Sequence, residues 1–249
     1  MIWARIEDLI ASAATGALEL GSAAGATLAQ LVETVRTKLA GDPETRRRVA
    51  FSIAMIALSA KMAKADGVVT VDEVAAFERL FDIPADERRN VARVYDIAKT
   101  DVAGFEGYAM QLAALCDGDE ANCPLLIDIV DGLFHIAKAD GVLHEAELAF
   151  LARTSEIFGI TDDRFETIAA RHVDDQLGGE GPNPYAVLGV APDASMADIR
   201  RRYRELVSEA HPDRAIARGL PEEFVAIATE RIAAYNDAMQ RIRSIEAAA

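Results

Sequence analysis

Residues 183–213, NPYAVLGVAPDASMADIRRRYRELVSEAHPD, decide the fold of the last quarter of the chain. The Asn-Pro pair that opens the stretch predicts a helix start, because asparagine is a favoured N-cap residue and proline a favoured first helical residue. Gly189 predicts the end of that short helix. Ser195 then begins a longer helix, with Asp198 three residues later in a capping-box pattern. The stretch therefore predicts a short helix followed by a long one.

The longer helix has an apolar face and a basic face. Ile199, Tyr203 and Leu206 recur at helical spacing, which predicts a face that packs against the rest of the domain. At about 100° per residue, the arginines of this helix fall beside that face. They are Arg200, Arg201 and Arg204, with Arg202 near them.

A loop and a third helix complete the region. The tripeptide His211-Pro212-Asp213 predicts the end of the long helix, because the residue before a proline is disfavoured in the α conformation. Gly219 and Pro221 punctuate the loop and begin the next helix. The packing side of that helix is drawn from apolar residues at helical spacing: Phe224, Ile227, Ala228, Tyr235, Met239 and Ile242.

Taken together, the segment Asn-Pro-Tyr-Ala-Val-Leu-Gly-Val, the arginine-rich helix and the His-Pro-Asp loop resemble a J-domain, the DnaJ-like co-chaperone module. The resemblance covers residues 183–249. It implies a three- to four-helix domain built on an antiparallel helical hairpin. It also implies a partner, a DnaK-type ATPase chaperone, whose ATP hydrolysis the domain accelerates while a client is trapped.

The same resemblance assigns the chaperone contact to the basic helix and the loop. It implies that Arg200, Arg201 and Arg204 dock on an acidic surface of the chaperone's nucleotide-binding domain. The tripeptide then presses on the coupling between that domain and the substrate-binding domain. The expected partner-binding residues are therefore His211, Pro212, Asp213, Arg200, Arg201, Arg202, Tyr203 and Arg204.

The composition predicts an acidic, all-α protein. The 249 residues include 26 Lys and Arg against 41 Asp and Glu, a net charge of −15. Residues 182–249 hold 9 basic and 10 acidic residues, so nearly all of the excess lies upstream and the basic helix is a local patch. This charge argues against nucleic-acid binding. Alternating strand patterns are scarce, whereas helical periodicity is common.

A repeat organises the middle of the chain. Residues 63–69 read AKADGVV, and residues 137–143 read AKADGVL. Each copy follows an apolar helix, predicted over 51–62 and 125–136, and precedes an amphipathic one. Two such helix pairs predict one bundle, because neither pair buries its apolar face alone. Residues 42–176, with this doubled Ala-Asp-Gly signature, resemble the tellurite-resistance (TerB-like) domain, an all-α fold with an internal duplication.

Carboxylates recur at matching positions of the two copies: Asp66, Glu73, Asp140 and Glu147. Oxygen ligands of this kind suit Ca²⁺ or Mg²⁺, and the TerB-like resemblance allows a divalent cation there. Helix capping is the alternative interpretation. Thr70 with Glu73 forms a capping box, and Glu147 supports the start of the following helix, so capping explains the same spacing. The sequence favours capping and requires no cofactor.

The cysteines and histidines form no recognisable site in the sequence. Cys116 and Cys123 have no companion pair for zinc, so we expect two reduced thiols in a cytoplasmic protein. The four histidines show no ligand spacing, and His172 is expected at a solvated helix end. The chain also has no nucleophile elbow and no phosphate-binding loop. We therefore expect an activator of a partner's ATPase activity rather than an enzyme.

The order of the two domains bears on where in the cell the protein is located. A TerB-like domain followed by a J-domain resembles membrane-anchored J-proteins of Gram-negative bacteria, whose anchor is an N-terminal transmembrane segment. Residues 1–41 have no secretory signal and no apolar run of about 20 residues. They predict a helix that packs on the bundle or serves self-association. Peripheral contact with the inner face of the cytoplasmic membrane is the alternative. Residues 177–182 are glycine-rich and predict a hinge between the domains.

These observations predict a cytoplasmic J-domain co-chaperone that acts in protein folding and the stress response. The TerB-like domain would localise the protein or select its clients. The alternative is a metal- or stress-sensing TerB-like module that uses the J-domain only to recruit the chaperone. Nothing in the sequence identifies the client.

Overall fold

The computed structural model describes residues 43–65, 104–114, 116, 121–173, 181–217 and 225–248, together with a few isolated positions elsewhere before residue 96. Regular structure in these ranges is helical, and no strand occurs within them. The predicted all-α class is confirmed.

The bundle, residues 43–173, is built around one buried helix. This helix is Pro43–Ala65 (α1), and its side chains from 51 to 63 are all buried. The hydroxyls of Ser52 and Ser59 donate to carbonyl oxygens one turn earlier, at 3.1 and 2.6 Å, so neither buried serine lacks a partner. The other described helices of the bundle are Phe105–Ala113 (α2), Pro124–Ala137 (α3), Glu145–Ile157 (α4) and Asp162–Ala169 (α5), with a 3₁₀ turn, Lys138–Asp140, after α3.

Helix α1 packs against α2, α3 and α4. The two predicted apolar helices, 51–62 and 125–136, fall within α1 and α3, which confirms them. Aromatic pairs add to the core: the ring centroids of Phe105 and Phe150 lie 4.2 Å apart. The bundle therefore has one continuous core to which helices from both halves of the repeat contribute.

The connection between α2 and α3 corrects the expectation of two reduced thiols. Cys116 and Cys123 form a disulfide, with their Cα atoms 6.6 Å apart. Asn122, just before Cys123, adopts a left-handed conformation, with φ of 64°. The Asn122 side chain also accepts a hydrogen bond from the backbone N–H of Thr161 at 3.0 Å, which holds the loop against the start of α5.

A second core holds the C-terminal helices together. Pro184–Leu188 (α6) and Met196–Glu209 (α7) both pack against Val225–Ala248 (α9), and Pro212–Ala217 (α8) also contacts α9. The buried apolar residues of this core are Val187, Leu188, Ile199, Leu206, Ala210, Tyr235, Ala238, Met239 and Ile242. Of the packing set predicted for the third helix, Ile227 and Ala228 instead join the core of the bundle, and Phe224 lies outside the described residues.

The region after α7 differs from the predicted rigid loop. Helix α7 does end before His211, but Pro212 immediately begins α8. The carbonyl oxygen of His211 accepts hydrogen bonds from the N–H groups of Arg214 and Ala215, at 2.9 and 3.1 Å. Proline suits this place because the first helical residue needs no N–H donor.

The two domains pack against each other, whereas the sequence predicts a hinge between them. Ala215, Ile227 and Ala228 of the C-terminal domain are buried in the core of the bundle. At the end of the glycine-rich segment, the Arg241 guanidinium donates to the carbonyl oxygen of Pro182. The two domains are therefore in contact in this arrangement. A hinge at residues 177–182 stays a prediction, because residues 177–180 lie outside the described residues.

Among the described helices, none combines the length and the apolar character needed to cross a membrane. Nearly all of residues 1–41, to which the sequence assigns a packing, self-association or membrane role, lie outside the described residues.

Candidate functional site

The start of α7 fixes the basic helix. Ser195 is its N-cap, and the Ser195 Oγ accepts from the Asp198 N–H at 3.2 Å while donating to the Asp198 carboxylate at 2.6 Å. One half of the capping box predicted from the sequence is formed, the bond from the Asp198 N–H to the Ser195 side chain, whereas the Asp198 carboxylate accepts from the Ser195 hydroxyl. The hydrogen bond from Ser195, together with the nearby charge of Arg201, lowers the pKa of Asp198. These hydrogen bonds therefore fix the start of α7, the helix that carries the arginines.

The four arginines of α7 do not share one environment. Arg200 and Arg204 are exposed and lie one turn apart, and the Arg204 Nε donates to the carbonyl oxygen of Arg200 at 3.1 Å. Arg201 is exposed and pairs with Asp198 at 2.8 Å. Arg202 is half-buried, about 200° around the helix from Arg200, and lines a cavity between the two domains. The helix thus has an outward basic face and one arginine turned towards the bundle.

The His-Pro-Asp tripeptide lies at the end of this outward face. The side chains of His211 and Asp213 are 53% and 88% exposed. The Asp213 N–H donates to the His211 Nδ1 at 3.2 Å, which orients the imidazole ring. Pro212 is half-buried at the first position of α8. Two polar side chains are therefore presented to solvent where α7 ends and α8 begins.

Tyr203 connects the basic helix to the rest of its domain. Its ring packs against the core of the C-terminal domain, and its hydroxyl donates to the Asn236 side chain of α9 at 2.7 Å. The sequence places Tyr203 in the partner-binding set. In the structure it is half-buried and ties α7 to α9.

Only part of the predicted acidic quartet lies within the described residues. Asp66 and Glu73 lie outside them, and for Asp140 the backbone alone is described, in the 3₁₀ turn. Glu147 is 1% exposed, and its carboxylate accepts the His144 N–H at 2.9 Å. This is the capping role that the sequence favours for Glu147. A divalent cation bound by the quartet stays a prediction.

The sequence missed a group of charged residues buried between the domains. Asp128 and Asp131 lie on α3 and are 4% and 1% exposed. Arg171 and His172 come from the end of the bundle, and Arg231 comes from α9 of the C-terminal domain. We call these five residues the interdomain cluster. The expectation of a solvated His172 is wrong, because its side chain is only 7% exposed.

Asp131 is the centre of the interdomain cluster. Its Oδ1 accepts from Arg171 at 2.6 Å and from the His172 Nε2 at 2.8 Å, and its Oδ2 accepts from the Arg231 Nε at 2.7 Å. Burial alone would raise the pKa of Asp131, but the charges of Arg171 and Arg231 hold it well below its usual value. The carboxylate is therefore ionised and only accepts, so the His172 Nε2 carries the proton it donates.

The histidines also converge, which the sequence did not predict. The ring centroids of His135 and His172 lie 4.7 Å apart, and ligand atoms of both lie near Asp131 in a group of the size that holds a metal ion. The Asp131 carboxylate, however, already accepts from two guanidinium groups. A cation placed there would face two positive charges at close range. The arrangement fits an ion-pair network better than a metal centre.

One signal in the sequence could have revealed the interdomain cluster. The segment LLIDIVDGLFHIA is apolar apart from its histidine and two aspartates, which are three residues apart and so share one face of α3. Carboxylates on a helix whose other residues are buried require buried cationic partners. The partner Arg231, about 100 residues later, could not be identified by spacing.

Comparisons with known proteins agree with this architecture. The family model described as tellurite resistance protein TerB matches residues 52–170, and the DnaJ domain model matches residues 183–233. No solved structure matches the chain.

Several curated relatives share the name Co-chaperone protein DjlA. The chain is 28% identical to that of Photobacterium profundum over 219 residues, covering 79% of this chain and 78% of the relative. It is 25% identical to that of Escherichia coli K12 over 265 residues, covering 97% of each chain. The protein of Coxiella burnetii is 25% identical over 74% of this chain and 73% of its own. The chain therefore carries a TerB domain followed by a C-terminal DnaJ domain, as its sequence predicts, and is similar to co-chaperones along most of its length.

Proposed function

We propose that this protein is a J-domain co-chaperone that stimulates ATP hydrolysis by a DnaK-type chaperone. The observation that carries the proposal is the joint exposure of His211 and Asp213 at the end of a helix whose outward face presents Arg200 and Arg204. The similarity to co-chaperones supports the same assignment. In this reading the protein performs no chemistry itself, and catalysis belongs to the partner ATPase.

The outward arginines supply the first encounter. Arg200 and Arg204 have no ion-pair partner among the described residues, so their charges are available to an acidic surface. The rest of the chain is strongly acidic, which makes this basic face a local feature that orients the approach of one partner. Exposed charges of this kind raise the association rate more than the affinity, and salt weakens their effect.

The tripeptide supplies the second, orienting contact. Pro212 fixes the backbone at the start of α8, and the N–H of Asp213 holds the His211 ring. A segment that is ordered before binding loses less conformational entropy when it binds. We therefore assign to His211 and Asp213 the contact through which the chaperone's ATPase activity is stimulated.

The TerB domain has a separate role in this proposal. It localises the protein or selects clients, while the J-domain recruits the chaperone to the same place. The protein works in the cytoplasm, where ATP and DnaK-type chaperones are present. Arg202 serves the contact between the two domains more than the chaperone contact, since it faces the interdomain cavity.

Single-turnover ATP hydrolysis by the DnaK-type chaperone tests the proposal. The full chain should accelerate hydrolysis, and His211→Gln should abolish the acceleration. Arg204→Ala should reduce it in a salt-dependent way, whereas Arg243→Ala, an exposed arginine on α9, is the matched control and should leave it unchanged. No acceleration by the folded wild-type protein would refute the proposal.

A further inference from the structure

Two acidic side chains are almost completely buried inside the protein. Asp128 and Asp131 are three residues apart on α3, and both are at least 95% buried. Burying an ionised carboxylate is costly unless cations and hydrogen-bond donors surround it. The partners of these two carboxylates therefore help to hold this part of the protein together.

Their main partner from outside the bundle is a single arginine of the J-domain. Arg231 donates from Nε to Asp131 at 2.7 Å and from NH1 to Asp128 at 2.8 Å. Its side chain is 6% exposed. Burial opposes its charge, but the two aspartates more than offset this effect and raise the pKa of Arg231. One guanidinium thus bridges both buried carboxylates across the domain boundary.

The interdomain cluster takes its cations from both domains. Arg171 and Arg231 match Asp128 and Asp131, with His172 as a neutral donor. The bundle supplies both carboxylates but only one of the two arginines, Arg171. Without Arg231, Asp128 and Asp131 would each lose a buried cationic partner.

Further contacts surround the cluster. The Arg171 NH1 donates to the hydroxyl of Tyr235 at 3.1 Å. Arg164 of α5 pairs with Glu209 of α7 at 2.9 Å. A Cβ at Gly189 would lie 2.6 Å from the Thr167 hydroxyl oxygen, so the backbone of the J-domain comes close to α5. Polar and apolar contacts together extend over three helices of the J-domain.

The side of the J-domain that the bundle covers is also defined. A cavity of about 600 Å³ lies between the domains, and Arg202, Glu209 and Arg214 line it from the J-domain. Arg200 and Arg204 lie on the opposite side of α7 and are exposed. The described part of the bundle therefore lies behind the outward basic face and does not cover it.

We propose that Arg231, held by Asp128 and Asp131, locks the J-domain onto the TerB domain as one rigid unit. The lock fixes the direction of the outward basic face relative to the TerB domain. A client held by the TerB domain would then lie at a set position relative to the recruited chaperone. This consequence rests on the proposed function, whereas the lock itself does not.

An interdomain distance measurement tests the lock without any chaperone. Glu156→Cys on α4 and Gln240→Cys on α9 give two exposed labelling positions, and the Cys116–Cys123 disulfide leaves no free thiol elsewhere. Spin labels at these positions should give a narrow distance distribution in the otherwise wild-type chain. A broad distribution would overturn the proposal, because it would show that the J-domain moves relative to the bundle.

Variants then assign the lock to Arg231. Arg231→Met should broaden the distribution and lower the unfolding temperature by roughly 10 °C. Arg243→Met removes an exposed arginine from the same helix and should change neither. Should Arg231→Met fail to fold, Asp128→Asn provides the test, since it removes one of the two bridged carboxylates and should broaden the distribution less. An unchanged distribution in the folded variants would refute the assignment. The ATPase assay decides the proposed function separately.

Discussion

Arg231 of α9 donates a hydrogen bond to Asp131 of α3 at 2.7 Å, across 100 residues of sequence and across the boundary between the two domains. Because both side chains are almost fully buried, this pair differs in kind from the exposed ion pairs elsewhere on the protein. It links α9, which contributes to the J-domain core, to α3, the helix that precedes the second copy of the repeat.

Double-mutant cycles should separate the buried bridge from a partly exposed one. We expect Arg231 and Asp128 to show a coupling free energy of about 2 kcal/mol or more, because removing either partner leaves the other buried. Arg164 and Glu209 should couple by only about 0.5 kcal/mol, since the Glu209 side chain is 51% exposed. The measurement is chemical unfolding of each single and double variant to alanine. Equal couplings for the two pairs would contradict this ranking.

Gly189 should tolerate no side chain. Its φ of 62° is left-handed, and an added Cβ would lie 2.6 Å from the Thr167 hydroxyl oxygen. We expect Gly189→Ala to cost about 2 kcal/mol of unfolding free energy, from backbone strain together with the steric clash. Adding Thr167→Ala should recover the steric part only.

A second glycine provides the control for this prediction. Gly107 lies in α2, and no atom lies within 4 Å of the position that a Cβ would occupy there. Gly107→Ala should therefore stabilise the protein by about 0.5 kcal/mol, because alanine favours the helix. Similar effects at Gly107 and Gly189 in denaturant titrations would argue against the close interdomain approach.

Acidification should weaken the fold in two stages. Burial, only partly opposed by the hydrogen bond to Asp131, lowers the pKa of His172 from its ordinary value of 6.5. Burial also lowers the pKa of His135. The two histidines therefore bind protons more readily in the unfolded chain than in the folded one. The stability gained by burying them as neutral side chains is complete above about pH 6.5 and is lost as the pH falls further. The pKa of Asp131 is also lowered, and its contribution is lost in a lower range, beginning below about pH 4.

Two histidine substitutions check the first stage. His172→Gln keeps a donor for Asp131 but cannot gain a proton, so the fall in unfolding temperature between pH 7 and pH 5 should become shallower. His211→Gln removes an exposed histidine and should leave the slope as in the wild type. If both variants have the same slope as the wild type, His172 does not cause the acid sensitivity.

The disulfide should contribute measurably to stability. Cys116 and Cys123 are seven residues apart, and closing a loop of that size restricts the unfolded chain by about 2 kcal/mol. We expect the replacement of both cysteines by serine to lower the unfolding temperature of the oxidised protein. A reducing agent should lower the wild-type temperature and leave that of the double variant unchanged. No effect of complete reduction on the wild-type unfolding temperature would contradict a stabilising role for the bond.

Much of the fold could be predicted because local signals and the tertiary structure agree. The cap at Ser195 and the left-handed Gly189 depend on a few adjacent residues, and both have the conformations that the sequence indicates. The apolar helices α1 and α3 follow from long runs of buried residues. The sequence does not reveal the short helix after His211, because Pro212 suits both the end of one helix and the start of the next.

The domain interface could not be predicted, since it depends on pairs far apart in the chain. Nothing near Arg231 indicates that it is buried, and His172 resembles a solvated residue until Asp131 is placed beside it. The glycine-rich segment predicts a hinge between the domains and gives no indication of these contacts. The arginines of α7 show the same limit, because helical periodicity assigns their angles but not the side on which the bundle packs.

The most direct test of the proposed co-chaperone function is the rate of a single round of ATP hydrolysis by the DnaK-type chaperone, measured with the full chain and with its His211→Gln variant. We expect acceleration by the wild-type protein and none by the variant, with equal unfolding temperatures for the two proteins. Equal acceleration by the two proteins would contradict the role assigned to the exposed tripeptide. An absence of acceleration by the wild-type protein would contradict the proposed function itself.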